Sequence, residues 1–403
     1  MRASSIDPAA AVASQAGDFP SGRLLLLCMA SFLAEANLTF PAGLLPQLAA
    51  DFGISQAGAG QWVTFCSLGA GLAAIPLSAA TRGCNQRRVL LAVLAVFCIA
   101  SLVSAGSSNL WLTLAVRLLV GLATGLAWSL LATYARSLVA VPQQGRALAL
   151  AMFGIPLALS LGVPLASWAS ELLGWRAVFA VLGGLDLLLM LGIARGLPDR
   201  VGEARKTPAS FRQVLSTPGV GAVLGVVTGW ILAHYILYTY LSAYLQSLGM
   251  ASQLGQLLFV FGLAALVGVW AVGLLVDRCL RVLVLLSLSA FCLVALLLGS
   301  GGLSLPMVYL VMVIWGLSFS GAPTLLQTAL ADAAAEHATA AQSMLVTVFN
   351  LAFAGSGALG GVLLQTTGVR VFPWVILALL AGTLGLAWSS RRHAFRPGRR
   401  RTH

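Results

Sequence analysis

The chain has 403 residues, of which 59% are hydrophobic and 8% charged, and its formal net charge is +12. Mean hydropathy is +0.96. A soluble protein carries roughly 25% charged residues, so this composition excludes a soluble globular core and predicts an all-α polytopic membrane protein. The positive charge is assigned to membrane topology rather than to nucleic acid.

Residues 1–22 are small and polar, hold Pro8 and Pro20, and are expected to form a disordered cytoplasmic tail. Twelve apolar segments follow, at 23–45, 61–80, 88–106, 110–134, 147–168, 175–196, 218–245, 253–276, 281–299, 304–330, 339–365 and 370–390. A polar, proline-bearing stretch at 197–217 divides them into bundles of six, 23–196 and 218–390, with a basic tail at 391–403.

The first span carries Glu35, an acid near mid-membrane. Burial opposes its charge and a nearby cation restores it, so such a group is suited to exchanging a proton. The fourth span lies within 109–138 and holds Arg117. An arginine at mid-membrane costs about 2.5–3.5 kcal/mol even on the mildest scale, so it is expected to face a partner or a wet cavity. Helical stepping sets Gly121, Thr124 and Trp128 on its face, which suits a cavity wall. Arg117 is therefore the expected counter-charge of Glu35; a fixed structural ion pair is the alternative.

Gly154, Gly162 and Pro164, with Pro156, interrupt the fifth span, and glycines at 355, 357, 360 and 361 interrupt the eleventh. Small residues and prolines there predict close helix contact and bending. Asp186 in the sixth span is a second proton-site candidate or a partner of Arg117. In the seventh span His234 stands one turn from Trp230 and Tyr238, as a packing residue, a substrate contact or a relay.

The halves echo one another. Gly121-Leu122 and Leu130-Leu131-Ala132-Thr133 recur 195 residues later as Gly316-Leu317 and Leu325-Leu326-Gln327-Thr328. Gly174-Trp175-Arg176 recurs 194 residues later as Gly368-Val369-Arg370, and Arg88-Val89-Leu90 recurs 193 later as Arg281-Val282-Leu283. Such a repeat is the mark of a transporter built from two pseudo-symmetric six-helix bundles. Projection of the Arg117 face through the offset predicts a facing wall of Met312, Gly316, Phe319, Pro323 and Gln327. Walls of aromatics with a few amides suit a small amphipathic substrate better than a strongly anionic one.

Twelve spans put both termini on one side. With the termini in the cytoplasm, Arg82, Arg87, Arg88, Arg136, Arg146, Arg278, Arg281, the linker cations and the basic tail lie inside, and Arg176 and Arg370 lie outside. That asymmetry follows the positive-inside rule. The cysteines show no metal-ligand spacing, so no disulfide, metal or cofactor is expected. Each chain holds both halves, which points to a monomer.

These residues resemble the major facilitator superfamily, and within it the twelve-spanner drug:proton antiporters of the arabinose-efflux-permease type. The likeness runs from Arg23 to Ser390. It is carried by Glu35 with Gly43-Leu44-Leu45-Pro46, by Arg117-x-x-x-Gly121, and by Leu161-Gly162-Val163-Pro164-Leu165 with Gly174-Trp175-Arg176. In the second half it rests on Thr239-Tyr240, Gly273-x-x-x-Asp277-Arg278, and Trp315-Gly316 running to Gln327. The resemblance implies a multi-pass inner-membrane exporter, not an enzyme, working by alternating access, with Glu35 and Arg117 coupling protons to drug efflux. Sugar or nucleoside efflux, and proton symport, are the alternatives. The family's gate loop usually carries an acid; here 79–88 has only its basic end, Arg87-Arg88, so Asp277 or other contacts are expected to do the gating.

Overall fold

The computed structural model describes residues 19–74, 76–81, 83–140, 143–201, 211–334 and 337–395. Arg82, the linker cations Arg205 and Lys206, Glu336 and the tail from residue 396 lie outside them. Among the described residues ten helices are long and apolar enough to span a membrane. Two departures from the expected twelve have local causes. The eighth and ninth spans run together as Leu254–Gly299, broken only at Cys279, whose φ of −146° and ψ of 42° leave the helical region. The second span, Gln56–Ala73, holds Gln56, Gln61, Thr64, Ser67 and four glycines and so is less hydropathic than its neighbours.

Spans 1–6 are Ser21–Gly43, Gln56–Ala73, Gln86–Gly106, Leu110–Ser137, Arg146–Leu173 and Trp175–Gly196. Spans 7–12 begin with Val220–Thr239 and end with Ala338–Thr366 and Phe372–Ser389. The tenth is split into Leu305–Phe319 and Ala322–Ala334. Within the first six, span 2 packs on 4, 3 on 6, and 1 on 5; within the last six, 8 packs on 10, and 7 on both 11 and 12. Across the boundary between the halves the most extensive packing is 2 with 11 and 5 with 8.

Side-chain caps set several starts. Ser55, Asn85 and Asn109 each accept the backbone N–H three residues on, at 3.1, 3.2 and 3.1 Å, and so satisfy an N–H that the first helical turn leaves open. Backbone geometry shows the repeat as plainly as the residues do. The first span breaks at Leu44 (φ −115°, ψ 5°) and the seventh, 196 residues later, at Tyr240 (φ −107°, ψ 20°). Gly174 and Gly368 both take positive φ, 82° and 77°, where the chain turns into the last span of each half. A residue with a Cβ rarely adopts that conformation, so glycine is needed at both turns.

The fifth span is interrupted where its glycines and prolines fall, into Gln144–Met152, Gly154–Leu157, Ala158–Gly162 and Val163–Leu173. Pro156 and Pro164 each withhold a backbone N–H, and between them the helix widens into one π turn, Ala158–Gly162.

We call the end bearing the chain termini the near end and the opposite end the far end. Gln56, at the far end of span 2, donates through Nε2 to Gln246 Oε1 at the end of span 7 (2.9 Å), and Ser242 Oγ donates to Gln56 Oε1 (3.4 Å). A Cβ on Gly60 would lie 2.2 Å from the Tyr240 hydroxyl, so the two halves touch there with no space to spare. The halves are sealed at the far end.

Candidate functional site

Two polar centres sit in the interior, on opposite faces of the first span. Residues two apart on a helix are turned by about 200°, so Glu35 and Asn37 face different ways. Asn37 faces into the first six spans. Its backbone carbonyl accepts from Arg117 Nη1 at 3.2 Å, its Nδ2 donates to Asp186 at 3.3 Å, and its Oδ1 accepts from Ser101 at 2.9 Å. Arg117 Nη2 donates to Ser104 Oγ at 3.1 Å. The guanidinium also lies over two rings, 5.0 Å from the centroid of Phe179 and 5.7 Å from that of Trp62. Arg117 is fully buried, as is Asp186. Two hydrogen bonds and two π faces stabilise the buried guanidinium, while its Nε–H is buried without a partner.

Glu35 faces the other half. It is 2% exposed, and its Oε2 is buried without a hydrogen-bond partner. Its electrostatic neighbours include Tyr235 and Tyr238 of span 7 and Cys66 of span 2. The expected pairing of Glu35 with Arg117 is therefore corrected: among the described residues no ion pair joins them, because the first span's own backbone turns them apart. The acid nearest Arg117 is Asp186, linked to it through Asn37.

Across the boundary lies an aromatic cage. His234 Nδ1 accepts from Trp315 Nε1–H at 3.1 Å, which leaves Nε2 as the protonated nitrogen of the neutral ring. The His234 ring stacks on Phe319 at 3.2 Å between centroids and lies 5.5 Å from Tyr238. Tyr235 stacks on Phe353 at 3.6 Å and meets Phe349 at 6.2 Å, and Phe349 in turn meets Trp128 of span 4 at 6.0 Å. Ring contacts thus run from the second half to the first. On this route Trp128 Nε1 and the Tyr238 hydroxyl are buried with no partner, as are Trp230 Nε1 elsewhere on span 7 and Asn350 Oδ1 on span 11. A buried polar group left unpaired costs about 1–3 kcal/mol, so its retention calls for an occupant or a role.

The other expected wall residues separate. Gly121 and Gly316 do not line a cavity: a Cβ on Gly121 would strike the Cys66 carbonyl at 1.9 Å, and one on Gly316 the Phe261 carbonyl at 2.5 Å. Cys66 and Phe261 are themselves 195 residues apart, so one crossing, 2 on 4, is repeated as 8 on 10. The glycines are there because backbones meet. Thr124 is buried and donates to the Val120 carbonyl of its own helix at 2.9 Å. Met312 is buried, Pro323 half-buried, and Gln327 exposed. Gly154 packs on the Cys28 carbonyl and Gly162 on Phe40 and Phe32, so the fifth-span glycines seat that helix on the first span; Pro164 is buried beside them.

At the near end Arg87 meets Asp199 (3.2 Å), donates to the Leu197 carbonyl (3.1 Å), and sits beside Asn85, which donates to Asp199 at 2.8 Å. The acid missing from 79–88 is thus supplied by Asp199, three residues past the end of span 6, a partner that the local motif does not display. Arg88 is exposed, as are Asp277 and Arg278 beside the Cys279 break, and Gly273 faces open space.

A family model of the Major Facilitator Superfamily matches residues 27–356. A probable sugar efflux transporter of Helicobacter pylori is 26% identical over 91% of this chain and 94% of its own length. The purine ribonucleoside efflux pump NepI of Escherichia coli is 28% identical over 86% of this chain and 87% of its own. Among solved structures, a bacterial homolog to the human lysosomal transporter Spinster, inward-facing and unoccupied, has the same fold, with a TM-score of 0.69 at 15% identity over 94% of this chain and 99% of that one.

Proposed function

Since this chain belongs to the Major Facilitator Superfamily and is a membrane transporter, we propose that it exports a small neutral molecule, a ring bearing hydroxyl groups, in exchange for protons. One observation carries the substrate class: stacked aromatics and unpaired buried donors share one route along the boundary between the halves. Rings take the flat face of such a molecule, and the indole and phenol donors take its hydroxyls. The names of the two relatives support sugars and nucleosides over the hydrophobic drugs that the sequence resemblance implies.

Glu35 is the proton carrier in this reading. It stands at the boundary that alternating access must open and close, and it has an unpaired carboxylate oxygen. Arg117, Asn37 and Asp186 form a fixed polar centre that holds the first span against spans 3, 4 and 6. His234, held by Trp315, offers Nε2–H to the substrate. The near end, with its arginines, is the cytoplasmic end of an inner-membrane protein, and the proton gradient there drives export. The monomer with its two halves, 23–196 and 218–390, is the working unit. The test is uptake into inverted vesicles of inosine and of D-glucose, with and without a pH gradient, on wild type and Glu35→Gln. Gradient-driven uptake of either solute, lost in the variant, is expected. Uptake of neither solute would reject the substrate class.

A further inference from the structure

The far face holds a cup of about 450 Å³ between the halves. Its wall includes Ser55 and Gln56 from the start of span 2, Gln246 and Ser247 from the end of span 7, and Leu364 and Gln365 from the end of span 11. With Ala57 and Ala243 the lining has eight residues, of which five are uncharged hydrogen-bonding residues, three are apolar and none is acidic or basic. Its size falls within the ~300–1,000 Å³ usual for small-molecule sites.

The two halves treat this face differently. In the first half Asp51 is held in an ion pair: its Oδ2 accepts from Arg176 Nη2 at 2.7 Å and from Trp175 Nε1 at 3.1 Å. The position 195 residues on is Gln246, not an acid, and the counterpart of Arg176 is Arg370, which is exposed. Without an ion pair to hold it, Gln246 turns across the boundary to Gln56. The seal is therefore made by two amides that also line the cup. After these bonds Gln56 keeps one donor and one acceptor position and Gln246 keeps two donors and one acceptor position, which is what vicinal hydroxyls require.

We propose that this cup is a second solute site, on the far face, for a neutral ring with vicinal hydroxyls, and that its occupant draws on the same amides that hold the halves shut. The proposal rests on the export reading above, with the cup as the last place the solute touches before release.

Hydrogen exchange on the full chain in lipid nanodiscs tests the site without turnover. Inosine or D-glucose at about 10 mM, enough to fill a millimolar site, is expected to protect 55–57, 243–247 and 364–365. The 2′,3′-dideoxy form of inosine, lacking the vicinal hydroxyls, is expected to protect them less. Protection by inosine alone identifies the nucleoside as the source of the hydroxyls, and protection by D-glucose alone identifies the sugar. In counterflow, Gln365→Leu should raise the ratio of far-face to near-face half-saturation about tenfold, the worth of one good hydrogen bond. Arg370→Ala, outside the cup, should leave that ratio within twofold. No protection by either solute, or equal protection by the dideoxy compound, overturns the site. If neither solute is transported, the export reading falls separately, since the exchange measurement needs no transport.

Discussion

Replacement of Gly60 by alanine should open the far end. The new methyl would sit 2.2 Å from the Tyr240 hydroxyl and 2.8 Å from its ring carbon Cζ, well inside van der Waals contact. Tyr240 is not free to move aside: its hydroxyl donates to the Gly357 carbonyl at 2.6 Å, and its ring is fully buried. Overpacking of this kind costs about 1–3 kcal/mol, and loss of the hydroxyl's bond adds about 1 kcal/mol. The penalty falls only on the sealed arrangement, because Gly60 and Tyr240 belong to different halves. A bias of about 2–4 kcal/mol moves the sealed-to-open ratio by roughly 30- to 1,000-fold. Spin labels at Ser55→Cys and Ser247→Cys would report this as a shift of the distance distribution to longer values. Tyr240→Phe in the Gly60→Ala background removes the nearest atom and should recover part of the sealed population. A distance distribution that the Gly60→Ala change leaves where it was would refute the reasoning, provided the variant is folded and monodisperse.

Three further outcomes follow from the same geometry. Tyr238→Phe removes a buried hydroxyl that has no partner, so thermal stability in detergent should hold or rise, while half-saturation for the substrate rises about tenfold; equal loss of both would mean that the hydroxyl is structural. Asn37→Leu deprives Asp186 and Ser101 of their shared partner while the backbone bond to Arg117 remains, and should lower stability by about 2–4 kcal/mol through buried unpaired groups; an unchanged melting temperature would contradict the network. Arg176→Ala breaks a pair whose side chains are 35% and 39% exposed, so after solvent screening the ion pair itself contributes under about 1 kcal/mol, and a small fall in melting temperature that shrinks in high salt is expected.

Much of the fold is legible in the residues because a bilayer allows few solutions: apolar runs of span length must be helices, and an offset of 195 residues must be a duplicated bundle. The offset extends to backbone features the residues do not announce, such as the breaks at Leu44 and Tyr240. The site was harder to see, since rotation about a helix axis decides it. Glu35 and Arg117 look like partners on a linear map, yet Asn37 intervenes because the first span turns Glu35 and Asn37 to opposite sides. Gly121 and Gly316 illustrate a second ambiguity: a glycine beside an arginine suits a cavity and a tight crossing equally well, and only the Cys66 and Phe261 carbonyls distinguish them. Asp199 was hidden for another reason, since it reaches Arg87 from more than a hundred residues away. The Gln56–Gln246 seal has no motif at all, being two ordinary amides that meet only when the halves do.

The most direct trial of the account is the reversal of solute flux as a function of the pH gradient, measured in proteoliposomes for wild type and Glu35→Gln with inosine as solute. The account predicts that the wild type concentrates solute against its gradient when protons flow the other way, and that the variant still exchanges solute for solute but no longer responds to the gradient. A Glu35→Gln protein whose flux still follows the pH gradient would contradict it.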